Sequence, residues 1–312
     1  EERLAKTAAL VPGFDRVRVE FLPPMTAGER YFAWHAKAWA RKHAGMFDVV
    51  HTHGVWESVL TAAADAARAA DVPYVVTPHG MLDHWALSRK AWKKRLGLRL
   101  GKGAFVRGAG AAHVLSIHER DCVVQGGFHA RAEIIPNGVF LEQVDPLPAP
   151  GAFRATRPEI GSDPYVFFLA RLHPEKGLDL LVEAFARLRG ELPALRVVIA
   201  GPDFGAEAAL RAQIARLGVQ DRVHLIGPLW DRSKFAALVD AACFCLPSAH
   251  EGFSMSIAEA LACGTPVVIT DLCHFPEVRE VGAGEVVERT VEALTEGLRR
   301  VLTHPEARAA YG

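Results

Sequence analysis

The stretch that decides the fold is ACFCLPSAHEGFSMSIAEALACGTPVVITD, residues 242–271. An apolar run leads into a short polar loop. A segment of small residues with helical period follows, and Gly264 precedes a second apolar, β-branched run. Strands that are apolar throughout are those covered on both faces. The reading is strand, loop, helix, strand, with the helix from about Ser254 to Cys263 and Gly264 placed to end it.

The same alternation runs outward in both directions. Strand candidates in the first half are RVRVEFL, FDVVHTH, YVVTPH, AHVLSI and AEIIPN. In the second half they are YVFFLAR, LRVVIAG, RVHLIG, ACFCLPS, PVVIT and GEVVE. Between them lie the helix candidates GLDLLVEAFARLRGEL, AEAALRAQIARLG and DRSKFAALVDAA. Alternation of this kind predicts parallel α/β sheets. A chain of 312 residues exceeds what one hydrophobic core usually serves, so two domains are expected. From Pro136 to Pro164 six prolines make regular structure unexpected, which marks a connection. The division is residues 1–140, a linker at 141–163, and a second domain at 164–312.

Composition excludes several classes. Formal net charge is zero, so no general affinity for nucleic acid is expected. No apolar run approaches the ~20 residues of a membrane span, and no signal peptide opens the chain. The cysteines are Cys122, Cys243, Cys245, Cys263 and Cys273, odd in number and without a C-x-x-C pair. They read as reduced thiols of a cytoplasmic protein. Cys263, Cys273 and His274 lack the second half of a zinc-site spacing, so no metal is expected. No G-x-G-x-x-G follows a strand, which argues against a dehydrogenase. No cofactor is expected.

Ligands of open α/β sheets bind beyond the carboxyl ends of the strands, where a helix N-terminus offers unpaired N–H groups and positive potential. Glu251 sits in such a loop and Glu259 lies one to two turns into the helix. They can grip the hydroxyls at two ends of a ligand, with its phosphates over the amides of Phe253, Ser254 and Met255. A plainer reading stands beside this one. Ser256-x-x-Glu259 fits a capping box, and Glu251 fits a surface acid favoured by the helix dipole. A second strand end, LARLHPEKGLDLLVEAF, carries Arg171 and, five residues on, Lys176 before Gly177. A guanidinium fork and an ammonium suit a diphosphate; Glu175 reads as a residue that orients Lys176.

Together the R-x4-K-G turn and the E-x7-E segment resemble those of glycosyltransferase family 4, retaining enzymes of GT-B fold. PHGM, IPNGV, LARLHPEKGLDLLVEAF, VIAGPD, LIGPL and LPSAHEGFSMSIAEALACGTPVV stand in the family's order and spacing. The resemblance implies two Rossmann-like domains with parallel sheets facing across a cleft. It implies a nucleotide-diphosphate sugar donor, with Glu251 near the sugar, Glu259 on the ribose, and Arg171 and Lys176 on the diphosphate. It places His79 opposite the donor sugar and His51, His53 and Trp56 on the acceptor side. Members usually begin with a strand and a Gly-rich loop and end with a helix that crosses back. Neither is visible, so the chain reads as a fragment with an incomplete N-terminal domain. The donor loop is EGFSMS where EGFG is commoner. No D-x-D is present, and the resemblance implies metal-independent transfer by a front-face path.

Residues 85–107 carry Arg89, Lys90, Lys93, Lys94, Arg95, Arg99, Lys102 and Arg107, and no acid lies between Asp83 and Glu119. Trp85, Trp92, Leu96, Leu98 and Leu100 are interleaved. A basic amphipathic helix suits an anionic membrane surface, as does a solvated helix with a buried stripe. Related chains resemble enzymes that build polysaccharide on lipid-linked acceptors, so the expected partner is a saccharide or lipid-linked acceptor. The expected location is the cytoplasm or the inner face of the membrane. A GT-B sugar-nucleotide 2-epimerase and a non-catalytic binder are the alternatives.

Overall fold

The computed structural model describes residues 14–22 and 26–303. Residues 1–13, 23–25 and 304–312 lie outside the described residues. Packing divides the chain into two compact units. One holds residues up to Thr77 together with Trp92–Ala112; the other holds Pro78–Ala91 and the chain from His113 onward.

The strand expected at 16–22 does not form. Val17–Leu22 is irregular, with Val17, Val19 and Phe21 exposed. Alternating apolar residues make a strand only where a neighbouring strand takes up their backbone groups. Strands β1 (Val50–His53), β2 (Tyr74–Thr77), β3 (Ala111–Val114) and β4 (Ala132–Ile134) form a four-stranded sheet in that order. β1 pairs parallel with β2, and β2 with β3. In the first unit, helices α1 (Trp34–His43) and α2 (Ser58–Ala69) pack through alanines. Ala33 and Ala36 meet Ala62, and Ala40 and Ala44 meet Ala66. Such small side chains let two helix backbones approach closely.

In the second unit, helix α3 (Ile117–Gln125) follows β3. The larger sheet holds β5 (Tyr165–Leu169), β6 (Arg196–Ala200), β7 (Val223–Leu225), β8 (Cys243–Leu246), β9 (Val267–Thr270) and β10 (Gly284–Val287). Its order is β10-β9-β8-β5-β6-β7, and its pairings are parallel. Helices α4 (Leu178–Leu188), α5 (Glu207–Leu217), α6 (Asp231–Asp240), α7 (Met255–Ala262) and α8 (Val291–Thr303) connect and cover the strands. α4 turns Leu178, Leu181, Val182, Phe185 and Leu188 inward, at the spacing of one helix face. The sheet and these helices share one continuous core.

Two sequence readings need correction. The proline-rich stretch is not irregular throughout: Leu141–Val144 and Ala152–Ala155 are one-turn helices. Val144, Phe153 and Ile160 are buried in the core, and the Asp240 carboxylate accepts the N–H groups of Gly151, Phe153 and Arg154. The gaps between prolines are long enough for single turns. Residues 85–107 are also not one helix. His84–Ser88 and Ala91–Gly97 are separate pieces, with Lys90 at φ 53° between them, and Gly103–Arg107 follows a further break where Gly101 takes φ 122°. Glycine pays little for that conformation, so the chain kinks there.

Candidate functional site

Strand β5 is laid down first in its sheet; the chain then builds outward on one side as β6 and β7 and on the other as β8, β9 and β10. The order therefore reverses between β5 and β8, which pair through Val166 with Cys243 and Phe167 with Phe244. The loops beyond such a reversal diverge and leave a crevice at the carboxyl ends of the strands. Both R-x4-K-G and E-x7-E begin in those loops.

After β5 the chain makes a single turn at Pro174–Lys176, capped by the His173 ring, which accepts the N–H of Glu175. Gly177 then enters α4 with φ 70°, and a Cβ there would stand 2.0 Å from the carbonyl oxygen of Pro247. Only glycine lets the β5 loop press so closely on the β8 loop. The Glu175 carbonyl accepts the N–H of Ala249 at 2.7 Å. Lys176 Nζ donates to Glu251 Oε1 at 2.6 Å, and Ser248 Oγ donates to the same oxygen at 2.5 Å. Glu251 is only 8% exposed. A carboxylate so buried needs partners, and here it has a cation and a hydroxyl.

Arg171 is exposed, with its guanidinium 5.1 Å from the Phe204 ring centre. Glu259 is buried, and Lys234 of α6 donates to its Oε1 at 2.5 Å. The capping-box reading does not hold. Ser254, not Ser256, occupies the cap position of α7, and the Glu259 carboxylate turns to Lys234. Phe253 packs on Phe275, ring centres 5.3 Å apart, and Met255 is exposed. Glu175 does not orient Lys176 through its carboxylate. That group pairs with Arg89 at 3.2 Å.

His79 lies in the same unit, exposed, with φ 54°. Its carbonyl oxygen would be 3.2 Å from a Cβ on Gly252, so the turn at His79–Gly80 abuts the Glu251 loop through backbone. The buried Glu119 carboxylate fixes this turn by accepting the N–H of Gly80 at 2.6 Å and that of Leu115 at 2.8 Å. Burial pushes the Glu119 carboxyl above its usual range, and these two N–H groups oppose the shift. The other predicted residues belong to the first unit. His51 and His53 stand side by side on β1, ring centres 4.3 Å apart, and His51 Nε2 is 2.7 Å from Thr77 Oγ1. Trp56 has its ring under the Lys94 ammonium at 5.4 Å, and its buried Nε1 has no hydrogen-bond partner among the described residues.

Several participants carry no sequence signal strong enough to name them. Lys234 sits in α6, a helix whose sequence carries no motif. Ser248 is three residues before Glu251, a spacing that hints at contact only once the loop is known to turn. Asp83 shows as a helix cap in DHWAL, but its second contact, His250 Nε2 at 2.9 Å, lies 167 positions away, the difference of their numbers. Burial pushes the Asp83 carboxyl up, yet the His250 ring, the Ala86 N–H and His118 together bring it below the usual range. The cysteines are all buried and free; burial pushes Cys263 up to about 11 and Cys273 up to about 12. Among the described residues, no group of three or more His, Cys, Asp or Glu is placed to hold a metal ion.

The chain matches the family model described as Glycosyl transferases group 1 over residues 152–312. It matches that described as Glycosyl transferase 4-like domain over residues 5–138. It is 34% identical over 245 residues to the D-inositol 3-phosphate glycosyltransferase of Xylanimonas cellulosilytica, covering 74% of this chain and 57% of that protein. The chain thus spans little more than half the length of that relative. Among solved structures it resembles Anabaena Alr3699/HepE in complex with UDP and glucose, with TM-score 0.76, 21% identity, and coverage of 93% and 77% of the two chains. It also resembles WaaG, a glycosyltransferase involved in lipopolysaccharide biosynthesis, with TM-score 0.69, 19% identity, and coverage of 99% and 88%. These likenesses agree with the two parallel sheets and with the GT-B fold expected above.

Proposed function

The chain belongs to the group 1 glycosyl transferases, and on that premise we propose that it moves a sugar from a nucleotide-diphosphate donor to a hydroxyl of a saccharide or lipid-linked acceptor. The setting is the building of cell-surface polysaccharide. The observation that carries this reading is the meeting of Lys176 and Glu251 where the strand order reverses, beside the start of α7.

In the proposed reaction the donor's C1–O bond to phosphate breaks while the acceptor oxygen bonds to C1 on the same face. The acceptor proton passes to the departing diphosphate, so configuration is retained. Negative charge grows on that diphosphate. Lys176, Arg171 and the N–H groups of Phe253, Ser254 and Met255 meet it without a metal, by electrostatic stabilisation of the growing charge. Glu251 orients the sugar, His79 faces it, and Glu259, steadied by Lys234, holds the ribose. His51, His53 and Trp56 serve the acceptor, which the unpartnered Trp56 Nε1 supports. The name of the Xylanimonas relative favours one further acceptor, an inositol phosphate.

The test is incubation with labelled nucleotide sugars alone, with a membrane extract, with oligosaccharides, or with inositol phosphate. Transfer only when an acceptor is present supports the reading, and the acceptor that reacts names the class. An altered sugar without acceptor identifies an epimerase, and binding without turnover identifies a sugar-nucleotide binder.

No helix among the described residues is long and apolar enough to cross a membrane. We propose peripheral docking on an anionic bilayer through residues 92–100, at the cytoplasmic face. Trp92, Leu96 and Leu100 are 68%, 47% and 77% exposed, and Lys93, Arg95 and Arg99 are exposed among them. Apolar side chains ringed by cations suit a surface of acidic headgroups over hydrocarbon. Flotation with phosphatidylglycerol vesicles at moderate salt supports docking; failure to float rejects it.

A further inference from the structure

The two residues paired at the centre of the site each follow a residue that is held from elsewhere. Glu251 follows His250, and Lys176 follows Glu175. The holders all come from one segment, Pro78–Ala91, which packs in the same unit. Asp83 is 2% exposed and caps the short helix His84–Ser88, its Oδ1 accepting the Ala86 N–H at 2.5 Å. Its Oδ2 faces His250 Nε2 at 2.9 Å, off the line of an ideal hydrogen bond, and has no other partner among the described residues. The His250 ring lies flat on Trp85, centres 4.6 Å apart and planes 18° apart. The Arg89 guanidinium also lies over the Trp85 ring, at 5.2 Å, and reaches Glu175 at 3.2 Å.

We propose that Asp83, Trp85 and Arg89 are positioning residues which, by gripping His250 and Glu175, set the register of Glu251 and Lys176. Neither gripped side chain needs to touch a ligand for this to work. A loop tied on each side of a reactive residue loses freedom before the ligand arrives, so less ordering is left for the reacting complex. Backbone packing limits the alternatives. A Cβ on Gly80 would stand 3.0 Å from the Gly252 Cα, so the strap lies directly against the loop it holds. The Glu119 carboxylate anchors the start of the strap at Gly80. Arg89 closes its far end with an exposed ion pair, weak in isolation, that here bridges two loops.

The inference rests on the transferase reading for its catalytic consequence but not for its structural one, so two readouts separate them. The variants are Asp83→Asn, Arg89→Ala, Trp85→Ala and Trp85→Phe, in the full chain. Hydrogen exchange of the amides at 174–177 and 249–252 is measured alongside steady-state transfer. Expected in Arg89→Ala and Trp85→Ala is exchange faster by about tenfold in both loops, against unchanged exchange in the β6 and β9 strands. Turnover falls by about tenfold with a smaller change in donor KM. Trp85→Phe, which keeps a ring under His250, restores both. Unchanged loop exchange in Arg89→Ala, whose exposed side chain can be removed without unfolding, overturns the proposal. Faster exchange in a protein whose parent shows no transfer upholds the strap and rejects the transferase reading.

Discussion

Lys176 and Glu251 are 75 positions apart in the chain and 2.6 Å apart in space, and each is the terminal product of a different strand. A phosphate that reaches Lys176 therefore competes with a buried carboxylate for the same ammonium. Glu251→Gln removes the competitor while keeping a partner for Ser248. We expect the variant to bind a nucleoside diphosphate as tightly as the parent or more so, while turnover drops by about a hundredfold. Lys176→Ala instead leaves Glu251 buried beside Ser248 alone. Such broken pairs cost about 3 kcal/mol or more, so its urea midpoint falls as well as its affinity. Calorimetry with nucleoside diphosphate and denaturant titration measure the two effects.

Lys234 contacts Glu259 and nothing places it on the diphosphate. Lys234→Met keeps the stem of the side chain and removes the charge. The expected result is a donor KM raised by about tenfold with turnover within about threefold of the parent, since a ribose contact of the kind proposed for Glu259 is made before and during reaction alike. Steady-state kinetics at varied donor decides. A loss confined to turnover would assign Lys234 to the reacting centre.

Gly177 stands where backbone meets backbone. A Cβ there would lie 2.0 Å from the Pro247 oxygen at a φ of 70°. Gly177→Ala is expected to destabilise by more than ~2 kcal/mol and to abolish donor binding, because the Lys176 turn must lift off the Glu251 loop. Gly190→Ala is the control: nothing lies within 4 Å of its Cβ position, and its φ is not in the left-handed region. Its stability stays within ~0.5 kcal/mol of the parent. Thermal and urea melts distinguish the two.

His274 gives a pH signature. Burial, reinforced by the neighbouring His118 and His250 and opposed by Asp83 and Asp271, pushes it down to about 4. In the unfolded chain an imidazole titrates near 6.5. Between those values the unfolded state binds more protons, so stability falls as pH drops from about 6.5 towards 4. His118, stacked on His274 at 3.5 Å, is also lowered by burial and acts in the same direction. His274→Asn suits the residue's φ of 52° and removes the titration. Its urea midpoint should change less with pH across this window than the parent's. An unchanged slope would show that other groups govern it.

Much of this architecture can be read along the chain. The apolar runs at 165–169, 196–200, 243–246 and 267–270 become the buried strands of the larger sheet, because a strand covered on both faces has no polar side to display. The same local logic fails at 16–22, where the alternation is present but no strand among the described residues pairs with it. At 85–107 the charge pattern is sound, yet Gly101 breaks the helix that the pattern suggests. The placement of the motif residues can be read along the chain as well: Arg171, Lys176 and Glu251 follow strand ends, and Glu259 lies within the helix that comes next.

What the chain determines by itself is which residues end strands and begin helices, since apolar periodicity, glycine and proline act over a few residues. Which carboxylate meets which cation is settled only when the sheet assembles. Lys176 reaches Glu251 because β5 and β8 become neighbours; Glu259 is left to Lys234 because α6 and α7 pack together. Asp83 finds His250 because a turn near residue 80 lies against one near 252. These are contacts between distant segments, and their distances depend on strand order and close packing, which no local spacing records.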